Sequence, residues 1–468
     1  MLLRELEIDL PVALESPNAL AQIREATRFL LPPNLVPLRF AVTKSDGGRA
    51  SCTISTLAAS SESSGSTDIS IFEFSPRKCE HTNRFNVALL IPTGIGAEIG
   101  GHAGDATPAA RLIAETCDTL ILHPNVVNAS DINEMPANSL YVEGSIISRL
   151  LMGTIGIAPT RANRVLVIID AHEDSLFVNA TINAVSAARA SYGLVCPEVI
   201  QLSPPVMMAA EYTDSGTAAG TISGLERVFT VLEERKGEYD AVAISSVISV
   251  PKAFHQGYFD AAGEMVNPWG GVEAMLTHAV SSRFDVPSAH SPMFESREIA
   301  NLDPGLVEPR MAAEAISLTF FTCVLKGLHK SPRIVTESSE TSKRGVISAS
   351  DVSCLVIPNG CVGLPTLAAL EQGIPVIAVR GNKNLMENDL TTLPWRTGQL
   401  HIVENYLEAV GVLCAIRSGI APESVRRPIA NTLVTTRTFD ENLESRSSSD
   451  RKSVRSSWVP VAPERVGG

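Results

Sequence analysis

The sequence contains no apolar run long enough to cross a membrane. No segment approaches about 18 consecutive apolar residues, so a membrane-spanning helix is excluded. The N-terminal stretch MLLRELEIDLPVALE has acidic residues inside its apolar part and lacks the basic start of a secretory signal peptide. We therefore expect a cytoplasmic protein without a membrane partner.

Positive charge is also scarce. The net charge is −13, and the folded part has no dense cluster of Lys and Arg. A nucleic-acid groove needs positive charge to displace counterions from the phosphates, so the sequence excludes nucleic acid as a partner. We expect a small-molecule substrate instead. The oligomeric state stays open, with a homo-oligomer among the options.

Clustered cysteines and metal-binding spacings are absent. The eight cysteines stand at positions 52, 79, 117, 196, 323, 354, 361 and 414, without a CxxC motif. This scatter is typical of reduced thiols in a reducing compartment, and we expect no disulfide. No HxxxH or HxH spacing supports a metal site. The sequence therefore predicts no metal and identifies no cofactor.

The apolar content is carried by small aliphatic residues, because hydrophobic residues make up 44% of the chain and aromatic residues only 5%. Such a composition suits buried parallel strands. The 468 residues exceed the roughly 250 to 300 at which one hydrophobic core stops growing. We therefore expect two domains with appendages.

Apolar runs that end in turn residues alternate with helix-like segments from residue 85 onward. Examples of the runs are NVALLIPTG, DTLILHPN, NRVLVIIDA, SCLVIPNG and IPVIAVRGN. Strands separated by helices of this length favour parallel sheets with right-handed crossovers. The predicted fold class is α/β, with doubly wound, mainly parallel sheets in two Rossmann-like lobes and a small N-terminal α+β appendage.

Composition changes place the domain boundaries. A Ser/Gly-rich tract, ASSESSGST, separates an N-terminal unit from the main body, and a Ser/Arg-rich segment ends the chain. The predicted divisions are a small N-terminal unit (1–58), a linker (59–84), a first α/β lobe (85–250), a second α/β lobe (251–440) containing a lid-like loop (252–309), and a disordered tail (441–468).

Local sequence patterns predict the structure of three further segments. Residues 310–330 are predicted to form one long, mostly buried helix. Residues 215–224, SGTAAGTISG, are predicted to form a loop before a helix. The lid-like loop carries His255, Tyr258 and Trp269, and His290 in PSAHSP is interpreted as a surface histidine in a turn.

A glycine-rich segment, IPTGIGAEIGGHAGDATPAARL, lies between a predicted strand and helix. A turn of this kind lets backbone N–H groups approach a bound anion at the start of a helix. Its pattern differs from the dinucleotide fingerprint GxGxxG, so a dinucleotide site is not favoured. The predicted anion-binding positions are Gly94, Gly96, Gly100 and Gly101.

Polar residues follow this strand and the next one. The first loop carries Glu98, His102 and Asp105, and the second carries His123, Asn125 and Asn128. Loops at the carboxyl ends of neighbouring parallel strands converge, so both sets are predicted to face one cleft. We assign His102, His123 and Asp105 to catalysis and the other three to substrate binding. The alternative is that each residue caps a helix or completes a turn.

A third turn lies in VIPNGCVGLPTLAAL, where Asn359, Gly360 and Cys361 follow a strand and precede a helix. A thiol at a helix N-terminus has a lowered pKa, which favours the nucleophilic thiolate. Cys361 is therefore a candidate catalytic residue, and Asn359 and Gly360 are candidate binding residues. The alternative is that Cys361 is a small hydrophobic residue of the core.

The order of IPTGIGA, IGG, AGDA, HPNV and YVEG resembles an uncharacterised family, number 3326 among the domains of unknown function, typified by cyanobacterial hypothetical proteins. This resemblance covers about residues 85–420 and implies no activity, because the family has none assigned. PNGCVGLPTL resembles a catalytic segment of the aspartate/glutamate racemase and maleate isomerase superfamily. Val362 and Gly363 depart from that pattern, and the first half lacks a matching cysteine.

We interpret the chain as an enzyme of small-molecule metabolism, with specialised biosynthesis among the options, that performs an isomerase, lyase or hydrolase step. Its substrate is predicted to be polar or carboxylated and anionic, bound by the glycine-rich loop. One alternative is a glycosyl or nucleotidyl group transferase, since a local likeness to nucleotide-sugar glycosyltransferases is also present. Another alternative is a non-catalytic metabolite-binding protein.

Overall fold

The computed structural model describes residues 1–58, 70–261, 263–341 and 343–437. Within these ranges, no helix is both long enough and apolar enough to span a membrane. The Ser/Gly-rich start of the predicted linker and the predicted tail at 441–468 lie outside the described residues.

Strands and helices alternate along much of the chain, which confirms the α/β class. The strands are β1 (Leu2–Leu10), β2 (Leu35–Asp46), β3 (Arg49–Ala58), β4 (Asn86–Leu89), β5 (Thr119–Leu122), β6 (Asn128–Ala129), β7 (Ile132–Asn133), β8 (Ser139–Tyr141), β9 (Gly156–Ala158), β10 (Val165–Asp170), β11 (Val199–Leu202), β12 (Met207–Tyr212), β13 (Ala218–Ser223), β14 (Ala241–Ser249), β15 (Ser288–Met293), β16 (Arg333–Val335), β17 (Val352–Pro358), β18 (Val362–Gly363), β19 (Val376–Val379) and β20 (Leu400–Val403).

The α-helices range from single turns to eighteen residues. They are α1 (Ala19–Leu30), α2 (Thr107–Ala114), α3 (Pro124–Val127), α4 (Gly144–Leu151), α5 (Ser175–Tyr192), α6 (Glu226–Glu234), α7 (Lys252–Asp260), α8 (Trp269–Phe284), α9 (Arg297–Ala300), α10 (Ala312–Ala315), α11 (Phe321–His329), α12 (Ser338–Thr341), α13 (Leu364–Gln372) and α14 (Tyr406–Arg417).

One sheet has six strands in the order β20-β19-β17-β4-β5-β8, and all of its neighbouring pairs are parallel. Its central strand β17 is buried along its whole length, as expected for a parallel strand that is covered on both faces. From β4 the chain moves to β5 and β8, whereas from β17 it moves in the opposite direction to β19 and β20. The strand order therefore reverses between β4 and β17.

The other large sheet has ten strands and is mixed. Its order is β11-β10-β14-β12-β13-β1-β3-β2-β18, and β15 also pairs with β14. The pairs around β14 are parallel, while the run from β12 to β18 is antiparallel. The predicted mainly parallel character thus holds for one sheet and for part of the other. The finer description as two doubly wound Rossmann-like lobes stays a prediction.

The predicted N-terminal unit contributes strands to this mixed sheet, because β1 pairs with β3 on one side and with β13 on the other. At the far edge, β18 adds two residue pairs to β2. Residues 1–422 form one compact unit. The domain divisions given for the sequence stay predictions.

The long helix predicted over residues 310–330 is interrupted, since α10 ends at Ala315 and α11 begins at Phe321. Between them the Ser317 hydroxyl donates to the Thr319 carbonyl and to the Asp131 carboxylate. Hydrogen bonds of this local kind compete with helical ones, which explains the break.

Two loop predictions are also corrected. Residues 215–224 contain β13, and the segment 252–309 contains α7, α8, β15 and α9 instead of an irregular loop. Both segments contain short runs of Ala, Gly and Ser, which favour a loop prediction, but β13 and β15 pack against α8, where small side chains allow close approach.

Two hydrophobic cores lie on opposite faces of the parallel part of the mixed sheet. Along β10, Val165, Val167 and Ile169 face one core, while Leu166 and Ile168 face the other, as the two-residue period of a strand requires. The first core also contains the apolar residues of the six-stranded sheet. This shared core is what brings the two sheets together.

Arg77 fixes the described part of the predicted linker to the six-stranded sheet. Its guanidinium donates to the carbonyls of Gln372 at 3.0 Å, Val352 at 2.9 Å and Gly373 at 3.2 Å. The Gln372 amide in turn donates to the Ser75 carbonyl at 3.0 Å. The stretch after residue 70 is therefore part of the packed structure.

Replacing Arg77 by Lys should lower the free energy of unfolding by about 1–3 kcal/mol, because one ammonium group cannot reach three separate carbonyls and leaves some without a donor. Urea unfolding at neutral pH measures this. Arg84→Lys, at an exposed position nearby, is the matched control and should keep the wild-type stability. Equal unfolding midpoints for all three proteins would contradict this role of Arg77.

Candidate functional site

Three adjoining cavities form one cleft that begins at the carboxyl ends of the parallel strands. We name them the switch-point cavity, the middle cavity and the aromatic cavity, with volumes of about 100, 140 and 200 Å³. The first two share Thr93, His123 and Ala274. The last two share Ala103, Asn128, Asn267, Glu273, His290 and Glu314.

The switch-point cavity lies where the strand order of the parallel sheet reverses. Ile95 follows β4, His123 follows β5, Gly144 follows β8 and Cys361 follows β17, and all four line this cavity. Loops that leave neighbouring strands in opposite directions open a crevice between them, which is where open α/β sheets bind ligands. Residues from the glycine-rich loop, from the loop after β5 and from the turn after β17 therefore line one cavity.

His123 directly follows β5 and is the N-cap residue of α3. The side chain is buried, and its Nδ1 has no hydrogen-bond partner. Burial lowers the pKa of His123 to about 4, with the positive charge of Arg39 among the further causes. The imidazole is therefore uncharged at neutral pH and is able to accept a proton.

Glu143 and His278 form a buried pair beside His123. The Glu143 carboxylate caps α4 by accepting from the Ser145 N–H at 2.9 Å. Its other oxygen, Oε1, lies 2.7 Å from His278 Nδ1, an ion-pair distance, although the angle is too bent for a hydrogen bond. Burial alone raises the pKa of Glu143, but His278 and Ser145 outweigh it and lower that pKa to about 2.

Gly144 allows the two imidazoles to meet. A Cβ atom added at Gly144 would lie 3.1 Å from His123 Nε2 and 3.3 Å from His278 Nε2. Both distances are shorter than an ordinary van der Waals contact of carbon, so any side chain at this position would displace the rings. The two Nε2 atoms therefore face the same small volume at the start of α4.

Arg39 brings a positive charge to the same cavity. It lies on β2, just after a bulge at Leu38 that shifts the pairing of β2 with β3. Its Nη1 is buried without a hydrogen-bond partner, and none of the described residues forms an ion pair with it. An unpaired guanidinium nitrogen at a cavity wall is suited to bind a carboxylate.

Cys361 lines the switch-point cavity as well. Burial raises the pKa of its thiol, in contrast to the lowering expected at a helix N-terminus. The effect of the helix is outweighed because no positive charge or hydrogen-bond donor stabilises the thiolate. This protonated state does not favour a nucleophile, and the catalytic role of Cys361 stays a prediction.

The glycine-rich segment has a different local structure from the predicted anion cradle. The Gly100 N–H already donates to Asp105 Oδ1 at 2.7 Å, and the Gly94 carbonyl accepts from the Ala218 N–H at 2.8 Å. Gly94, Gly96 and Gly100 have φ values of +75°, +63° and +88°, which favour glycine. Gly101 packs against the Ala97 carbonyl and lines the middle cavity.

The polar residues of that segment face away from the cleft or are engaged by neighbours. Glu98 lies 3.4 Å from the Arg310 guanidinium and is largely exposed. His102 Nδ1 lies 2.7 Å from the Tyr258 hydroxyl, and burial lowers the pKa of His102. Burial raises the pKa of Asp105 to about 7. Their predicted roles in catalysis and binding stay predictions.

The predicted amide residues divide between the cleft and its supports. Asn125 and Asn128 line the middle cavity, where Asn125 donates to the Gly100 carbonyl at 2.6 Å and Asn128 to the Tyr141 hydroxyl at 2.8 Å. Asn359 and Gly360 support the turn before Cys361: the Asn359 carbonyl accepts from Asn384 and the Gly360 carbonyl from Asn388. Neither lines the switch-point cavity.

At the other end of the cleft, Glu273, His290 and Ser246 form a chain of contacts. His290 Nδ1 lies 3.0 Å from Glu273 Oε1, and its Nε2 lies 2.7 Å from Ser246 Oγ. The chain resembles a Ser-His-acid triad, but its direction is reversed, because Glu273 lines the cavities and Ser246 is fully buried behind His290. His290 lies on β15 and not in the predicted surface turn.

Glu314 is the second carboxylate at this end. Its Oε1 accepts from the Ala103 N–H at 2.7 Å and from the Asn267 amide at 3.2 Å. Burial raises the pKa of Glu314 and that of the adjacent Tyr258. Among the described residues, no group of three or more His, Cys, Asp and Glu side chains is placed to hold a metal ion.

Sequence reasoning missed the residues that contact His123 from distant parts of the chain. Glu143 follows β8, whose three residues do not form a recognisable apolar run, although YVEG was part of the family resemblance. His278 lies in the middle of α8, and Arg39 lies on an antiparallel strand. No local pattern marks either residue, because their role comes only from the packing of the two sheets.

Two comparisons with known proteins give a match. A family model described as "Protein of unknown function (DUF3326)" matches residues 86–426. An "Uncharacterized lipoprotein" of Synechococcus sp. is 33% identical over 343 residues, which cover 72% of this chain and 92% of that protein. No solved structure matches. Neither match supports the likeness to the aspartate/glutamate racemase superfamily.

The low pKa of His123 predicts a pH-dependent stability. The folded state holds His123 uncharged down to about pH 4, whereas the unfolded chain protonates it near the ordinary histidine pKa of 6.5. Acidification through this window therefore favours the unfolded state, and stability is lost as the pH falls. Relative to His123→Gln, the wild type should lose roughly 2–3 kcal/mol between pH 7 and pH 4.5.

Urea unfolding of both proteins at several pH values measures this difference. Taking the difference between the two proteins removes the effect of other groups, such as Asp105, that titrate in the same range. A stability difference that does not change with pH would show that His123 is not held uncharged.

Proposed function

This chain belongs to the DUF3326 family, and we propose that it is an acid–base enzyme of small-molecule metabolism that performs an isomerase or lyase step on a carboxylated metabolite. The observation that carries the proposal is the convergence of His123 and His278 at Gly144 beside the unpaired guanidinium of Arg39. This places two proton-transfer groups and one anion-binding group around a single small cavity.

Arg39 supplies the binding step. A substrate carboxylate in the switch-point cavity would accept hydrogen bonds from the guanidinium, whose Nη1 has no other partner. The positive charge also stabilises the negative charge that develops on the carboxylate when a proton leaves the adjacent carbon. No ion pair within the described residues includes Arg39, so a substrate carboxylate would supply its counter-ion.

His123 is placed to act as general base, because its Nε2 faces the cavity and its imidazole is uncharged at neutral pH; its lowered pKa makes it a weaker base than an ordinary histidine. It would take the proton from the carbon next to the carboxylate, and the electron pair of that C–H bond would move into an enediolate. His278, oriented by Glu143, would return a proton at a second position in an isomerase, or to a leaving group in a lyase.

The site offers less support for a covalent hydrolase step. The Cys361 thiol has a raised pKa, and the Ser246 hydroxyl lies behind His290 and does not face the cleft. We therefore favour proton transfer over nucleophilic attack. The eight free cysteines accord with action in the cytoplasm, which stays part of the proposal.

The proposal is tested by hydrogen exchange in D₂O. The protein is incubated with a panel of small mono- and dicarboxylates, and NMR follows the loss of the proton next to the carboxylate. The wild type should exchange this proton in at least one compound, and His123→Gln should slow the exchange at least about 100-fold, the usual contribution of a general base.

Arg39→Gln should weaken binding of the same compound at least about tenfold, the loss expected for a charge-assisted hydrogen bond. Arg49→Gln, on the exposed end of the same hairpin, is the control and should behave as the wild type. Binding through Arg39 without exchange of any panel member would instead identify a non-catalytic metabolite-binding protein.

A further inference from the structure

The aromatic cavity at the far end of the cleft has a distinct chemistry. Its walls include four aromatic rings and three carboxylates, and none of its lining residues is Lys or Arg. The aromatic residues are Phe259, Trp269, Phe294 and Phe320, and the acidic residues are Glu273, Glu295 and Glu314. Aromatic faces together with uncompensated carboxylates favour an organic cation.

The charges of the two inner carboxylates are not neutralised by a permanent cation. Among the described residues, Glu314 accepts hydrogen bonds from neutral groups, namely the Ala103 N–H, the Asn267 amide and the Tyr258 hydroxyl. Glu273 contacts His290, whose other nitrogen is engaged by Ser246. A carboxylate in a cavity wall without a permanent counter-charge is costly, so a cationic ligand would stabilise both groups.

Unpartnered polar atoms in the same wall also indicate a ligand. Ser130, Ser291 and His255 line this cavity and are 3%, 2% and 7% exposed, and among the described residues the two hydroxyls and the His255 Nε2 have no hydrogen-bond partner. Buried polar groups in native proteins nearly always have partners. These atoms are independent of the carboxylates, and they are suited to bind a group with several N–H donors.

We propose that the aromatic cavity binds a protonated primary amine carried on an apolar or aromatic body, with Glu273 and Glu314 contacting the ammonium group and Trp269 and Phe320 contacting the body. The inference rests on the proposed function for its second part: because neighbouring cavities share wall residues, we place a carboxylate of the substrate at Arg39 and its amine at the opposite end. The substrate class is thus an amino acid-like zwitterion whose charged groups are separated by the length of the middle cavity.

Calorimetric titration of the full-length protein with phenethylamine, 3-phenylpropionate and benzyl alcohol tests the cavity. These probes share a phenyl ring and differ in charge. Phenethylamine should bind the wild type. Glu314→Gln and Glu273→Gln should each lower the affinity for phenethylamine at least about tenfold, as expected when a charge-assisted contact is lost. Glu264→Gln, an exposed glutamate outside the cavity wall, is the matched control and should bind as the wild type.

Arg39→Gln separates this inference from the proposed function. Phenethylamine binding should be unchanged in Arg39→Gln, whereas binding of the carboxylate compound found in the exchange experiment should be weakened. Loss of carboxylate binding without any amine binding would sink the inference alone, and the reverse result would sink the proposed function alone.

Three outcomes would overturn the amine site. They are equal affinity for benzyl alcohol and phenethylamine, binding of phenethylamine by both glutamine variants at wild-type strength, and heat from Mg²⁺ titration in place of amine binding. Trp269→Leu serves as a second variant if a glutamine variant fails to fold, and it should also weaken the binding of phenethylamine.

Discussion

The reversal of strand order between β4 and β17 is the constraint on which the cleft depends. Because the chain leaves these neighbouring strands in opposite directions, a crevice opens between the loops that follow them. Residues of the mixed sheet, on β2 and β18, line this crevice. The mixed sheet shares a hydrophobic core with the parallel sheet, and its strand β2 carries Arg39 to the edge of the opening. The cavity is therefore a product of two sheets and not of one nucleotide-binding turn.

Burial gives the residues of the cleft different protonation states. The same loss of hydration that lowers the pKa of His123 raises those of Asp105, Glu314 and Cys361. Glu143 is the exception, because its partners outweigh its burial. The result is an uncharged base beside an ionised Glu143 at one end of the cleft and a carboxylate of raised pKa, Glu314, at the other.

The sequence predicted the parts of the structure that depend on local pattern. The apolar runs located the parallel strands, and the position of His123 at a strand end was enough to place it in the cleft. The glycine-rich loop was located from its pattern, but the sequence does not reveal that its Gly100 N–H donates to Asp105, and its anion-binding role stays a prediction. Glu143, His278 and Arg39 could not be found, because their proximity arises from contacts between distant elements.

The bulge at Leu38 determines which face of β2 carries the guanidinium of Arg39. Side chains on a strand alternate between its two faces, so a single extra residue decides which face each later side chain occupies. Without this bulge, Arg39 would exchange places with a neighbour and its guanidinium would leave the cavity. The direction of the Arg39 side chain therefore depends on the alternation of side chains along β2. This strand lies outside the residues matched by the family, because that match begins at residue 86.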